Sequence, residues 1–151
     1  MNDSILFKAP SAVSKKMNRL YQLLIHEKSL FEQVAGHVTD NSLRCTILSL
    51  AQQSNQYAAE LSCCMQSTGE AGKLIEKSYP GTHKFPDENK VLAWCSSNER
   101  KIVIAYRKIL EDSALYEGIK KMMRYQLNGI LSASVQLKLL SSLKKRHHST
   151  I

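Results

Sequence analysis

Three glutamates, Glu27, Glu60 and Glu99, are the side chains here whose type and spacing could do chemistry. Glu27 stands within the apolar series Met17, Leu20, Leu24, Glu27, Phe31, Val34 and Val38, whose members are spaced three or four residues apart. That spacing puts the series on one face of a helix. A carboxylate on such a face is costly to bury unless something satisfies it. In helical bundles that something is often a pair of metal ions, held by inward Glu and by Glu-x-x-His pairs whose i, i+3 spacing aims both ligands at one point.

The ligand set is incomplete. Three residues after Glu60 stands Cys63, not His, and Glu99 lies beside Asn98. Between Gly118 and Lys144 there is no Asp, Glu or His; Gln126 and Ser134 occupy that stretch. Hard ions want carboxylate and imidazole with supporting contacts around them. The expectation is therefore no cofactor and no functional di-iron site. A weaker, degenerate site using Glu27, Glu60 and Glu99 is the alternative.

A second pattern surrounds Glu27. Each apolar series carries a polar residue near its middle: Glu27, Ser54, Asn98 and Gln126, with Tyr57 close to Ser54. These predict a buried polar layer of Glu27, Ser54, Tyr57, Asn98 and Gln126 that fixes helix register, as a buried Asn does in coiled coils.

Other chemistry finds little support. The cysteines are Cys45, Cys63, Cys64 and Cys95, with no C-x-x-C spacing. They read as small apolar residues in a reducing compartment. Cys63 or Cys95 as a nucleophile would need an activating base or a helix N-terminus. His26 is the one histidine placed mid-helix, as a phosphoaccepting histidine would be, and no familiar pattern surrounds it. There is no P-loop or dinucleotide fingerprint.

The elements that must position these residues are helices. Only three Pro and six Gly occur in 151 residues, and long stretches lack both. Periodicity and capping residues predict helices at about 14–38, 42–65, 88–113 and 114–145, with Ser14, Asp40 or Asn41, and Asp87 as caps. The third series reads Val91, Trp94 or Cys95, Asn98, Ile102, Ala105, Ile109. Short turns after the first and third helices make each an antiparallel hairpin. The connection at 67–87 is long enough to travel the bundle, so helices two and three run parallel across it. Residues 1–13 are expected to be a flexible segment and 146–151 a basic tail. No span of about 18 apolar residues is present, and the run Ile5 to Phe7 is too short for a signal-peptide core. A cytoplasmic protein without a transmembrane segment is expected.

The segment AQQSNQYAAEL, Ala51 to Leu61, resembles the second helix of a bacterial family of small ferritin-like proteins of unknown function. Cys95, Glu99 and the Ala105-Tyr106 pair resemble its third helix in spacing. The resemblance covers about residues 17–143. It implies an all-α, ferritin-like four-helix bundle: the two hairpins and long crossover that connection lengths also suggest.

Charge completes the sequence picture. The net charge is +8, and residues 90–151 carry all of it, with twelve Lys or Arg against four Asp or Glu. Lys101, Lys108, Lys120, Lys121, Arg124 and the tail could form a strip for nucleic acid or another acidic partner. The leading expectation is a non-enzymatic interaction or stress-related protein, a homo-oligomer or the binder of a protein partner. Nucleic-acid binding through the basic second half is the third.

Overall fold

The computed structural model describes residues 11–67 and 88–149, and over them the chain is all-α. Its helices are α1 (Ser11–His37), α2 (Asn41–Ser67), α3 (Glu88–Leu110) and α4 (Glu117–Ser149). The expected flexible segment (1–13, up to Pro10), the crossover 67–87 beyond Ser67 and the cap Asp87 lie outside the described residues.

Local chemistry sets the turns. Asp40 caps α2: its Oδ1 accepts from the backbone N of Ser42 at 2.9 Å and of Leu43 at 3.5 Å, satisfying amides that have no partner inside the helix. Arg44 closes the same turn, its Nη2 donating to the Val38 carbonyl at 2.6 Å. Between α3 and α4 the chain forms a loop of six residues, 111–116, where the sequence predicts only a brief turn between helices bounded at about 113 and 114. Asp112 is the cause. Its Oδ1 accepts from the Ala114 amide at 2.9 Å, an Asx turn that draws the backbone out of the helix. Leu115, 8 % exposed, then plugs the bundle end. Ser14 is no cap; it lies buried in the first turn of α1, which begins at Ser11. At the other end α4 continues through the expected tail to Ser149.

The core divides into two apolar clusters. One joins Met17 and Leu20 of α1 to Leu61 of α2, Ile102 and Ile109 of α3, and Met123 of α4. The other joins Phe31 and Val34 to Ile47 and Leu50, Cys95, and Leu137. The early part of α1 thus meets the late parts of α2 and α3 and the early part of α4. Directions follow: α1 and α4 run antiparallel to α2 and α3, and α2 and α3 run parallel. Ser67 and Glu88 accordingly stand at opposite ends of the bundle. α1 packs along α2 and α3, α4 along α3, and α2 and α4 meet over a shorter contact. Each fully buried Leu, Ile or Met in these clusters stabilises the fold by roughly 1.5–3 kcal/mol.

On α3 the buried line is Cys95, Glu99, Ile102, Tyr106 and Ile109, with Asn98 beside it. Trp94 stands 42 % exposed, and Ala105 is half-buried at the edge facing α1. The 4-3-4-3 spacing from Cys95 keeps one seam inward better than the series through Trp94 and Ala105.

Candidate functional site

Glu27 is fully buried where the two core clusters meet, between Leu24 of one and Phe31 of the other. Asn98 Nδ2 donates to its Oε2 at 2.7 Å and lies 3.5 Å from the Leu23 carbonyl. Glu99, the next residue on α3, is 3 % exposed and accepts a hydrogen bond from Ser134 of α4. Burial pushes the Glu27 carboxyl up to about 8; the Glu99 charge adds to the rise, and the Asn98 hydrogen bond opposes it. Burial raises Glu99 to about 7 against the pull of Ser134 and of Lys138. Two carboxyls that interact this closely titrate as a pair. Glu27 Oε1 and Glu99 Oε2 are buried and have no hydrogen-bond partner among the described residues. Cys95 is buried beside them; burial first, then both carboxylates, push its thiol far above the ordinary range. It carries no thiolate with which to attack a substrate.

The second polar group lies within the first cluster. The Tyr106 hydroxyl donates to Gln126 Oε1 at 2.8 Å, and Gln126 Nε2 donates to the Tyr57 carbonyl at 3.3 Å. Gln53 Nε2 donates to the Tyr57 hydroxyl at 3.3 Å. Tyr125 meets the Tyr57 ring edge to face, with centroids 6.3 Å apart. Gly129 makes this contact between α2 and α4 close: a Cβ there would overlap the Tyr57 hydroxyl. Burial raises both tyrosine hydroxyls, so every member of this group is neutral.

The predicted polar layer is therefore two groups. Glu27, Ser54, Tyr57, Asn98 and Gln126 are all buried, as is Glu99. Yet Gln126 is hydrogen-bonded to Tyr106 and Tyr57, not to Glu27. On α4 it is Ser134, two turns further on, that reaches the carboxylate pair. The physical reason is depth: α4 passes from the first cluster to the second between Ile130 and Ala133, not at Gln126.

The three-carboxylate metal set does not assemble. Glu60 is half-buried, and its Oε1 accepts from Gln56 Nε2 at 3.3 Å on the exposed side of α2. Among the described residues no three His, Cys, Asp or Glu side chains form a group able to hold a metal ion. Two carboxyls, an amide and a hydroxyl on three helices do not fit a di-iron centre, which needs ligands from all four.

The basic strip also divides. Lys101 and Lys108 of α3 line a groove of about 410 Å³ with Lys15, Lys16 and Arg19 of α1. Lys120, Lys121 and Arg124 are on α4 and do not line it, and Arg124 is paired with Glu117 at 3.2 Å. Charge counted by halves of the chain hides the α1 cations, because the first 89 residues balance. A finer signal was present: residues 12–26 contain no Asp or Glu. Gly129 was also legible, as a glycine inside a long helical pattern. The outward side of α4 exposes Tyr125, Val135 and Leu139, at 65 %, 57 % and 58 %. Among the described residues no helix is long and apolar enough to cross a membrane. No protein-family model matches the chain, and no curated protein is similar to it in sequence.

Proposed function

We propose that this chain is a non-enzymatic, ferritin-like helical bundle that acts through its surface as an interaction protein. The observation that supports this reading is the ligand geometry: among the described residues no three His, Cys, Asp or Glu side chains form a group able to hold a metal ion, and Glu60 is hydrogen-bonded to Gln56 on the exposed side of α2. The parallel course of α2 and α3, with Ser67 and Glu88 at opposite ends, supports the ferritin-like topology. A stress-related role would follow from the fold by analogy alone. The exposed Tyr125, Val135 and Leu139 of α4 support self-association.

Elemental analysis of the purified protein, with oxygen-uptake measurements after addition of ferrous iron and the mass in solution, tests this reading. The expected result is no stoichiometric metal, no accelerated oxygen consumption and a mass above that of the monomer. Two bound irons per chain with oxygen consumption would overturn it. A metal-binding alternative keeps only Glu27 and Glu99, and the oxygens that favour it are Glu27 Oε1 and Glu99 Oε2. It requires a single bound ion that Glu27→Gln abolishes.

A further inference from the structure

The groove between α1 and α3 is a strongly charged concave surface. One rim carries Lys15, Lys16 and Arg19; the other carries Lys101 and Lys108. Among the described residues no acidic side chain lines it, and none of the five pairs with a carboxylate. Its floor is apolar: Leu23, 5 % exposed, lies below the rims, and Ile104 stands 52 % exposed over it. A second hollow continues the first along the same two helices. It shares Lys101 and reaches Leu30 and Trp94, again without an acidic residue. From Lys15 to Leu30 the trough follows α1 for four helical turns, about 22 Å at 1.5 Å per residue.

We propose that this trough binds an acidic amphipathic helix of a partner protein, naming the partner class for the interaction reading on which it rests. A helix laid in a groove offers apolar side chains at i, i+3, i+4 and i+7 to the floor and acidic ones to the rims. The combination of basic rims and an apolar floor favours that occupant. A bilayer meets protruding groups and does not reach Leu23 beneath the lysines. A nucleic-acid strand uses cations alone or stacks its bases on several aromatic rings; among the described residues only Trp94 and the His26 imidazole offer a ring to the two hollows. Electrostatic attraction brings the helix in, and the desolvated floor holds it.

Trp94 is the only tryptophan in the chain, so its fluorescence reports on the trough directly. The probe is a synthetic helical peptide of about four turns, with Leu on one face, Glu on the other and no aromatic residue. Expected is a saturable blue shift of Trp94 emission that the scrambled peptide and the Leu/Lys peptide do not produce. Lys15→Glu with Lys108→Glu weakens binding about tenfold or more, and Ile104→Ser weakens it several-fold. Lys120→Glu with Lys121→Glu, the same charge change off the groove, alters it less than about twofold. Lys15, Ile104, Lys108 and Lys121 are solvent-exposed and Lys120 is half-buried, and unchanged thermal melts show that the variants fold. No saturable shift, an equal response to the scrambled peptide, or equal loss in the two charge-reversal pairs overturns the proposal. So does tighter binding of single-stranded DNA or of phosphatidylglycerol vesicles than of the peptide. Failure here leaves the metal analysis untouched, and iron-dependent oxygen consumption would defeat the interaction reading without altering the titration.

Discussion

Two polar groups sit in the same apolar bundle and solve burial in opposite ways. Tyr106, Gln126 and the Tyr57 carbonyl form a neutral chain in which each donor meets an acceptor. Glu27 and Glu99 form a titratable pair in which one oxygen of each carboxyl has no partner among the described residues. The first is fully compatible with a dry core, since a satisfied neutral network carries no charge to desolvate. The second is tolerated near neutral pH because the carboxyls can keep protons there. What separates the groups is partner supply. Tyr106 faces an amide on α4, whereas Glu27 has one amide donor, Asn98, and a second carboxyl beside it.

The sharpest way to break the comparison is pH. The carboxyls rise from about 4.5 to about 8 for Glu27 and about 7 for Glu99. The folded state therefore binds protons more tightly than the unfolded chain. The pair's contribution is most favourable below about 4.5, is lost progressively as pH rises through about 7 and 8, and is flat beyond. Urea unfolding at pH 5, 7 and 9 is expected to show a decline on the order of several kcal/mol. Glu27→Gln should remove most of that slope and make the variant more stable than the parent at pH 9. A slope unaltered by the substitution would show that the pair does not govern it.

Next in size is Asn98→Ala. It takes away the hydrogen bond that Glu27 receives, a loss of about 2–3 kcal/mol when the acceptor is charged and buried. Because the bond favours the ionised form, the loss should be larger at pH 9 than at pH 5 in the same unfolding measurement.

In the neutral group Gly129→Ala sharpens the contrast. Helix propensity alone favours Ala by about 1 kcal/mol, yet the added methyl would displace the Tyr57 hydroxyl. Overpacking of this kind costs about 1–3 kcal/mol, so a net loss of stability at every pH is expected in thermal melts. A net gain would mean that the contact between α2 and α4 is looser than described. An effect of similar size is expected from Tyr106→Phe, which leaves Gln126 Oε1 without its donor for about 1–2 kcal/mol. Its cost should be the same at pH 5 and pH 9, unlike that of Asn98→Ala.

Periodicity made the helices legible, and with them the burial of Glu27, Ser54, Tyr57, Asn98 and Gln126. Each stands on an apolar series, and a helix buries its series whatever it meets. Capping chemistry at Asp40 was legible for the same reason, since it acts over three residues. Partner choice was not. Gln126 and Ser134 both project inward from α4, and which one reaches Glu99 depends on the axial offset of α4 against α3. That offset depends on the six-residue loop that Asp112 opens, longer than the brief turn the sequence predicts. The cations tell the same story from outside: Lys15 and Lys108 are 93 positions apart in sequence and become two rims of one groove.

By itself, then, the order of residues determined the four helices, their inward faces and the presence of a carboxylate among apolar side chains, because these depend on spacing of a few residues. Only the tertiary structure decided that Glu27 meets Glu99 and Asn98 while Glu60 turns to Gln56, and that the basic surface lies along α1 and α3. Those outcomes depend on how helices distant in sequence are set beside one another, and packing of the two core clusters makes that choice.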